Sequence, residues 1–348
     1  MKKILTMALL LVSGLTLAQE TTDKLTIDDF TIKAGGTTTV DVKMTQNDAT
    51  YTALQFEIYL PEGVGIATND KGKLDITKGE MCEDTHSISS RFNKGRYIVT
   101  IGSPDKDLFI GTEGVLCTLA LEATDMVSTG EQEGFLRNIK LSKPTATSNN
   151  TAEVPFGVSP YVEAKIAASG YGSFSWPRAL DFSECEGVEK VYVGGEDANG
   201  KLKLVEVASK QVSAATGVIL KGTTGTVNPS TMETEPAGDQ GTLTPTCAGA
   251  YEVTADNTIY VLKTGSKGTG FYVCQTGVVV PQYKVYLERD ASQGANMISM
   301  EEAGTTGIDG VAVADSETEA MYTVSGVRVG KPTQKGIYVS EGKKVVIK

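Results

Sequence analysis

Apolar and polar side chains alternate along much of this chain. From residue 37 to residue 44, Val40, Val42 and Met44 alternate with polar residues, and the same spacing recurs from Leu54 to Leu60. A period of two is typical of antiparallel strands with one buried face. Further short apolar runs occupy residues 96–102, 114–122, 136–141, 188–193, 202–207, 218–220, 259–262, 271–273 and 285–287. Because many short strands joined by turns are typical of β-sandwiches, the pattern predicts an all-β protein.

The pattern also divides the chain into segments. A basic start, an apolar run from Ile4 to Leu17 and a small residue at its end predict a signal peptide over residues 1–18, cleaved between Ala18 and Gln19. A buried N-terminal helix is the alternative for this run. No later apolar run is long enough to span a bilayer, so no transmembrane segment is predicted. The remaining segments are two β-sandwich-type domains over 19–165 and 166–300, a linker over 301–313 and a short β tail over 314–348.

The charge balance excludes one class of partner. The formal net charge is −11, and because residues 1–18 carry two lysines and no acid, the chain without them is near −13. Nucleic-acid binding requires a basic face, so no nucleic-acid partner is predicted. The five cysteines are an odd number, so at least one thiol is predicted to stay unpaired. Cys117 is predicted to be buried beside Val115 and Leu119.

The chain offers few residues for catalysis. His86 is the only histidine, and its polar surroundings in the sequence predict a solvated loop histidine. A Ser-His-Asp or Cys-His site would have to use it, and one histidine cannot build a histidine-rich metal site. The prediction is therefore a protein that is not an enzyme and has no cofactor or metal. Glycoside hydrolysis needs only two carboxylates, so an extracellular polysaccharide-active hydrolase stays open as an alternative.

One polar strip is the first candidate for binding. On the predicted strand from Leu54 to Leu60, Gln55, Glu57 and Tyr59 alternate with the apolar residues and are predicted to face outward. A polar surface with an aromatic anchor is typical of recognition sites.

Two local motifs in the second domain each have two interpretations. The segment from Asp197 to Gly200 resembles the start of a calcium loop that would end at Glu206. The apolar run that begins at Leu202 instead favours a β-hairpin with its turn at Asn199-Gly200. Trp176, the only tryptophan, is a further candidate binding residue, because it either stacks on a sugar or lies in the core.

The last twenty-eight residues form short β-branched and aromatic runs separated by turns, which alone would fit a hairpin that closes the preceding domain. Their order resembles the C-terminal sorting domain of the type IX secretion system. The residues that carry this resemblance are Tyr322, Gly326, Gly336, Ile337, Tyr338 and the Lys-rich end with Lys343, Lys344 and Lys348. The resemblance implies that the type IX secretion machinery is a partner and that the protein is secreted or displayed on the outer surface of a Gram-negative bacterium.

Residues 24–165 resemble a cohesin-type domain. The resemblance is carried by the strand and turn from Gln55 to Pro61, the strand from Lys94 to Val99 and the Gly-led strand from Gly114 to Leu119. Cohesins bind dockerins, whereas related sandwiches bind carbohydrate or serve as structural modules. The resemblance implies a non-catalytic binding or adhesion protein that recognises a glycan or a protein through a β-sheet face. A structural subunit of the cell envelope is a second alternative.

Overall fold

The computed structural model describes residues 23–302, except 49, 146–147, 196–200, 239, 256–257 and 290–294, together with four tail strands. The elements in these residues are 32 β-strands and no helix, which confirms the predicted all-β class. In the same part of the chain, no helix exists with the length and hydrophobicity needed to cross a membrane. The described residues up to 302 belong to one compact unit and the tail strands to another.

The first twelve strands form a β-sandwich, called here the first module. They are β1 (Lys24–Thr26), β2 (Phe30–Lys33), β3 (Thr37–Thr45), β4 (Ala53–Tyr59), β5 (Val64–Ile66), β6 (Ile76–Lys78), β7 (Ser87–Asn93), β8 (Arg96–Gly102), β9 (Glu113–Ala123), β10 (Gln132–Ser142), β11 (Ser148–Asn150) and β12 (Val154–Tyr161). The smaller sheet has the order β1-β3-β9-β5, with β6 also paired to β9. The larger sheet has the order β2-β12-β10-β4-β8-β7, with β11 also paired to β10. Its β2 and β12 are parallel, and its other pairs are antiparallel.

The predicted alternation places the core of the first module correctly. Leu54, Phe56 and Ile58 on β4 are fully buried, as are Val42 and Met44 on β3. These side chains belong to one hydrophobic cluster formed by both sheets. The period of two therefore predicts which face of each strand is covered.

A β-bulge changes the predicted pattern on β9. The register shifts between Val42 and Lys43 of β3, so that Val42 pairs with Cys117 and Lys43 with Val115. Leu116 is the extra residue, and it is fully buried together with Cys117, whereas Val115 is partly exposed. The prediction is confirmed for Cys117 and Leu119 and wrong for Val115, because the bulge changes the direction of the strand at that point.

Sixteen further strands, called here the second module, follow between residues 164 and 302. They are β13 (Ala164–Ile166), β14 (Tyr171–Phe174), β15 (Leu180–Asp181), β16 (Val188–Gly195), β17 (Leu202–Glu206), β18 (Gln211–Val212), β19 (Val218–Gly222), β20 (Gly225–Val227), β21 (Ser230–Thr231), β22 (Thr244–Pro245), β23 (Tyr251–Glu252), β24 (Ile259–Gly265), β25 (Gly268–Val273), β26 (Val279–Val280), β27 (Val285–Glu288) and β28 (Met297–Glu302). The antiparallel pairing of β16 with β17 confirms the predicted hairpin strands. The turn at Asn199-Gly200, which also holds the calcium-like motif, lies outside the described residues.

The largest sheet of the second module curls until its two edges meet. Its order is β14-β19-β16-β17-β28-β25-β24-β27-β22. Just beyond the edge strand β14, the Ser175 amide donates to the Tyr283 carbonyl at 3.1 Å, and the Ser175 hydroxyl donates to the Lys284 carbonyl at 2.8 Å. Tyr283 and Lys284 lead directly into β27, which lies beside the opposite edge. The curled sheet is therefore closed at this point by hydrogen bonds.

The two modules share one continuous hydrophobic cluster, to which Trp176 belongs. Its ring centroid lies 4.4 Å from that of Tyr283, whose hydroxyl donates to Asp125 of the first module at 3.4 Å. Nearby, the Thr129 amide donates to the Thr231 hydroxyl at 2.9 Å, and the Thr231 amide donates to the Thr129 hydroxyl at 2.8 Å. Packing and reciprocal hydrogen bonds thus join the second module to the loop between β9 and β10.

The tail forms a separate four-stranded antiparallel sheet, in agreement with the predicted short β tail. Its strands are β29 (Met321–Thr323), β30 (Arg328–Val329), β31 (Gly336–Ser340) and β32 (Lys343–Ile347), in the order β30-β29-β31-β32. The residues that suggest a sorting signal lie on three of these strands, with Tyr322 on β29, Gly336, Ile337 and Tyr338 on β31, and Lys343 and Lys344 on β32. Gly326 and Lys348 lie outside the described residues, as do Ala18 and Gln19.

Candidate functional site

The candidate site is the outward side of four adjacent strands of the larger sheet, β10, β4, β8 and β7, called here the outer face. The register places Gln55 of β4 beside Lys140 of β10 and Thr100 of β8. It also places Tyr59 beside Phe135. The side chains that alternate with the core on these strands are Phe135, Arg137 and Lys140 on β10, Gln55, Glu57 and Tyr59 on β4, Arg96, Ile98 and Thr100 on β8, and Ser89, Arg91 and Asn93 on β7.

An arginine between two aromatic rings lies on this face where β10 pairs with the end of β4. The Arg137 guanidinium carbon is 5.0 Å from the ring centroid of Tyr59 and 4.5 Å from that of Phe135. The same guanidinium forms an ion pair with Glu153. Cation–π contacts and a carboxylate partner restrict the long side chain, so Arg137 is held in position before any partner arrives.

Glu57 is more buried than the sequence predicts. Its carboxylate accepts hydrogen bonds from Asn138 at 2.8 Å and from the Tyr59 hydroxyl at 3.1 Å, and it forms an ion pair with Arg96 at 3.0 Å. These neighbours cover it, so that only 7% of the residue is exposed. Glu57 thus lies on the outward side of β4 with Gln55 and Tyr59, but its neighbours cover it, whereas Gln55 and Tyr59 are partly exposed.

A second β-bulge explains how Asn138 reaches this carboxylate. The pairing of β10 with β4 is interrupted between Arg137 and Lys140, and Asn138 has a φ of 49°. Asparagine tolerates this left-handed backbone better than most residues. The bulge changes the direction of the side chains on β10, which allows Asn138 to donate to Glu57 on the neighbouring strand.

The contacts of Glu57 determine its charge. Burial by itself disfavours the charged carboxylate, but the hydrogen bonds from Asn138 and Tyr59 and the interaction with Arg96 outweigh burial and lower the pKa of Glu57. Glu57 is consequently ionised at neutral pH and acts as a fixed anion that orients Tyr59, Asn138 and Arg96. These residues form a structured polar network on the outer face beside the Arg137 cluster.

Trp176, the candidate in the second module, is not available for stacking on a ligand. It is only 3% exposed and belongs to the core cluster. Its ring stacks on Phe174 at a centroid distance of 5.9 Å. The structure therefore supports the core interpretation of this tryptophan.

His86 is also buried, which corrects the prediction of a solvated loop histidine. The residue is 2% exposed and its ring stacks on Phe109 at 4.5 Å. Its Nδ1 accepts the amide of Glu83 at 3.1 Å, so the neutral ring carries its proton on Nε2, which has no hydrogen-bond partner among the described residues. Burial lowers the pKa of His86 below its ordinary value.

The part of the chain that the structure describes contains neither a metal-binding cluster nor a reactive thiol. No group of three or more His, Cys, Asp or Glu side chains there is arranged to hold a metal ion. All five cysteines are free thiols. Burial raises the pKa of the Cys185 thiol to about 11 and also raises that of Cys117, so neither is a reactive thiolate at neutral pH.

Sequence reasoning missed the residues that organise the outer face. Phe135, Arg137 and Asn138 belong to β10, which the sequence predicted only from residue 136 and without a bulge. Alternation along this strand could have placed Phe135 and Arg137 on the same side as each other. Their position beside Tyr59 depends on strand pairing, which periodicity within a single segment does not determine.

Comparison with known proteins shows that part of the chain is similar to solved cohesin structures. No family model matches the chain, and no curated protein matches it. A non-cellulosomal cohesin from the hyperthermophilic archaeon Archaeoglobus fulgidus is 12% identical, with 40% of this chain and 90% of that chain covered and a TM-score of 0.32. A chain of a type I cohesin–dockerin complex from Clostridium thermocellum is 16% identical, with 40% and 99% covered and a TM-score of 0.34. A cohesin module from a family 33 glycoside hydrolase of Clostridium perfringens is 11% identical, with 40% and 96% covered and a TM-score of 0.31.

Proposed function

We propose that this chain is an exported, surface-displayed, non-catalytic binding protein that recognises a protein partner through the outer face. The observation that carries the proposal is the Arg137 cluster with Tyr59 and Phe135 on that face. Arginine and tyrosine are enriched among the residues that contribute most to protein–protein binding. The cluster is built on paired strands, so little ordering is needed when a partner binds.

The arrangement of the rings favours a protein partner over a glycan. A sugar would stack on an open aromatic face, but the guanidinium of Arg137 covers one face of both Tyr59 and Phe135. The rest of the outer face offers exposed polar groups, including Thr100 on β8 and Arg91 on β7. Aromatic and arginine side chains together with exposed polar groups are the usual composition of a protein interface.

Export and surface display rest on the sequence of the two ends. The predicted signal peptide would direct the chain out of the cytoplasm, and the tail resembles a type IX sorting domain. The four antiparallel tail strands are compatible with a small separate domain that could be recognised by secretion machinery. In this proposal the modules between the two ends are the cargo.

Site-directed crosslinking tests the proposed face even while the identity of the partner is open. Thr100 is replaced by a photo-crosslinking phenylalanine analogue in the full chain, and Thr39 on the exposed side of the smaller sheet receives the same analogue as the control. The protein is then illuminated on its own bacterial surface. We expect a protein adduct from position 100 and none from position 39. Equal adducts from both positions, or a carbohydrate adduct from position 100, would contradict the proposal.

A matched pair of substitutions then tests the cluster itself. Arg137→Ala removes a side chain that is 40% exposed and paired with one carboxylate, whereas Lys43→Ala removes a side chain that is 43% exposed and similarly paired on the other sheet. Loss of an arginine that anchors an interface costs about 2 kcal/mol or more, which weakens binding by roughly thirtyfold. We expect this loss for Arg137→Ala and unchanged binding for Lys43→Ala with the partner identified by crosslinking.

A further inference from the structure

A groove of about 600 Å³ opens in the second module, where the curled sheet is not closed. One wall comes from the edge strand β14 with β13 and β20, and the other from β24, β26 and the start of β27. The hydrogen bonds of Ser175 to Tyr283 and Lys284 close the sheet beside it. A volume of this size is typical of a site for a small organic molecule.

The charge of the groove is opposite to that of the whole chain. Of the described residues that line it, three are lysines, Lys165, Lys263 and Lys284, and none is acidic. The chain as a whole has a formal net charge of −11. Lys165 also lies 3.7 Å from Glu163, which is not a lining residue and compensates part of its charge. An anion inside the groove would therefore be attracted, whereas most of the protein surface would repel it.

The backbone of Lys284 is held by hydrogen bonds to Thr246. Its amide donates to the Thr246 hydroxyl at 2.8 Å, and its carbonyl accepts from the Thr246 amide at 3.0 Å. Its ammonium group has one weak contact, to the Ser173 carbonyl at 3.4 Å, and forms no ion pair with a carboxylate of the described residues. Because an ammonium group has three donors, it retains the capacity to bind an anion.

The environment of Lys284 disfavours a lone cation. Burial lowers the pKa of its ammonium group, and the nearby charge of Lys165 lowers it further. An anion beside Lys284 would oppose both effects. A bound negative group would therefore favour the charged form of the Lys284 ammonium group.

Apart from the lysines, the groove is lined by serine and threonine residues and, on one side, by an apolar patch. Val261 and Val285 line it from the strands, and Val278 and Val279 line it from the segment that ends in β26. Val278 is 43% exposed and Val279 is 54% exposed, which places both among the most exposed large apolar side chains of the described residues. Exposed apolar surface next to a positioned cation fits a ligand that has one charged end and an alkyl body.

We propose that the groove binds a free fatty acid, with the carboxylate at Lys284 and the alkyl chain along Val261, Val278 and Val279. The carboxylate matches the ammonium group, which has donors left beyond its contact with the Ser173 carbonyl. The alkyl chain would cover valine side chains that otherwise contact water. This activity would be a second binding function, separate from the outer face.

Calorimetric titration of the full chain with decanoate, below the concentration at which it forms micelles, tests this assignment. Decanol has the same alkyl chain without the charge, and a short apolar peptide has a carboxylate without the alkyl chain. We expect saturable binding of decanoate and at least tenfold weaker binding of decanol and of the peptide, because a charge-assisted hydrogen bond is lost or the chain is not accommodated. Equal binding of decanol, tighter binding of the peptide, or no binding of decanoate would overturn the proposal.

Substitutions in the groove provide the second test. Lys284→Met keeps most of the side-chain volume and removes the charge, and we expect it to weaken decanoate binding at least tenfold. Val279→Glu adds an anion to an exposed position of the groove and is expected to have a similar effect. Val205→Glu is the matched control, because Val205 is 41% exposed on β17 and does not line the groove. If Val205→Glu weakens binding as much as Val279→Glu, or if Lys284→Met binds decanoate like the parent, the site is not this groove.

Discussion

Replacement of Glu57 by glutamine is the sharpest test of the polar network that Glu57 forms on the outer face. The substitution keeps the size of the side chain and removes its charge. Asn138 and Tyr59 would then donate to a neutral oxygen or lose their acceptor, and Arg96 would lose the counter-ion that lies 3.0 Å away. The Glu57 side chain is 9% exposed and that of Arg96 is 27% exposed. The carboxylate is therefore almost excluded from water, whereas the guanidinium still reaches it.

The exposed fractions of Glu57 and Arg96 determine how much the free energy of unfolding should fall. Removing one partner of a fully buried ion pair typically costs about 3–5 kcal/mol. Because Arg96 can be partly rehydrated, we expect the free energy of unfolding of Glu57→Gln to fall by about 2–3 kcal/mol at neutral pH. The pKa of Glu57 is lowered in the folded protein, so its stabilising contribution is present above the ordinary carboxyl value of 4.5. That contribution is lost as the pH falls through the lowered pKa of the folded state.

The assay is urea unfolding of the parent and the variant at a series of pH values. The difference in free energy of unfolding should be largest near neutral pH and should shrink as the pH falls below about 4.5. Glu122→Gln is the control, because Glu122 is exposed on β9 of the other sheet, and we expect no change from it beyond about 0.5 kcal/mol. A deficit that is the same at every pH, or an equal effect of both substitutions, would refute the role assigned to the Glu57 charge.

Four other properties of the chain can be tested by substitution, thiol labelling or deletion. His86 is buried with a lowered pKa, so the parent should lose stability relative to His86→Asn as the pH falls from about 6.5, and identical pH profiles would contradict this. Phe56→Ala should lower the free energy of unfolding by roughly 3–5 kcal/mol, measured by urea titration, because the ring is fully buried. A thiol reagent should leave Cys117 unmodified in the native protein and label it after denaturation; native labelling would place it elsewhere than in the core. Deletion of residues 308–348 should abolish surface delivery in cell fractionation while leaving the melting temperature of the remainder unchanged.

The alternation of apolar residues predicted the class of the fold and much of the core. Phe56 and Ile58 are buried because a half-buried strand must place every second side chain inside, and this rule acts within one segment. Val115 departs from the rule because a bulge in the pairing of β3 with β9 inserts one residue. The prediction of a solvated His86 was wrong for a different reason. Its neighbours in the sequence are polar, but in the folded protein Phe109 covers its ring.

The candidate site was predictable only in part, for the same reason. Tyr59 was identified from its own strand, but its partners Phe135 and Arg137 come from a segment more than seventy residues later. Their meeting depends on the register between β4 and β10. The groove that contains Lys284 could not be predicted from the sequence, because it exists only where the curled sheet is left open beside the point at which its edges meet.

The parallel pairing of β2 with β12 gives the first module a direction-dependent response to mechanical force. The two strands run side by side in the same direction, from Phe30 to Lys33 and from Val158 to Tyr161. Tension that pulls β2 from its first residue and β12 from its last residue draws the strands past each other, so their hydrogen bonds carry the load together. By contrast, an edge strand such as β7 can be peeled away one hydrogen bond at a time. A module stretched along its chain between an anchor and a captured partner would therefore resist shear better than it resists peeling.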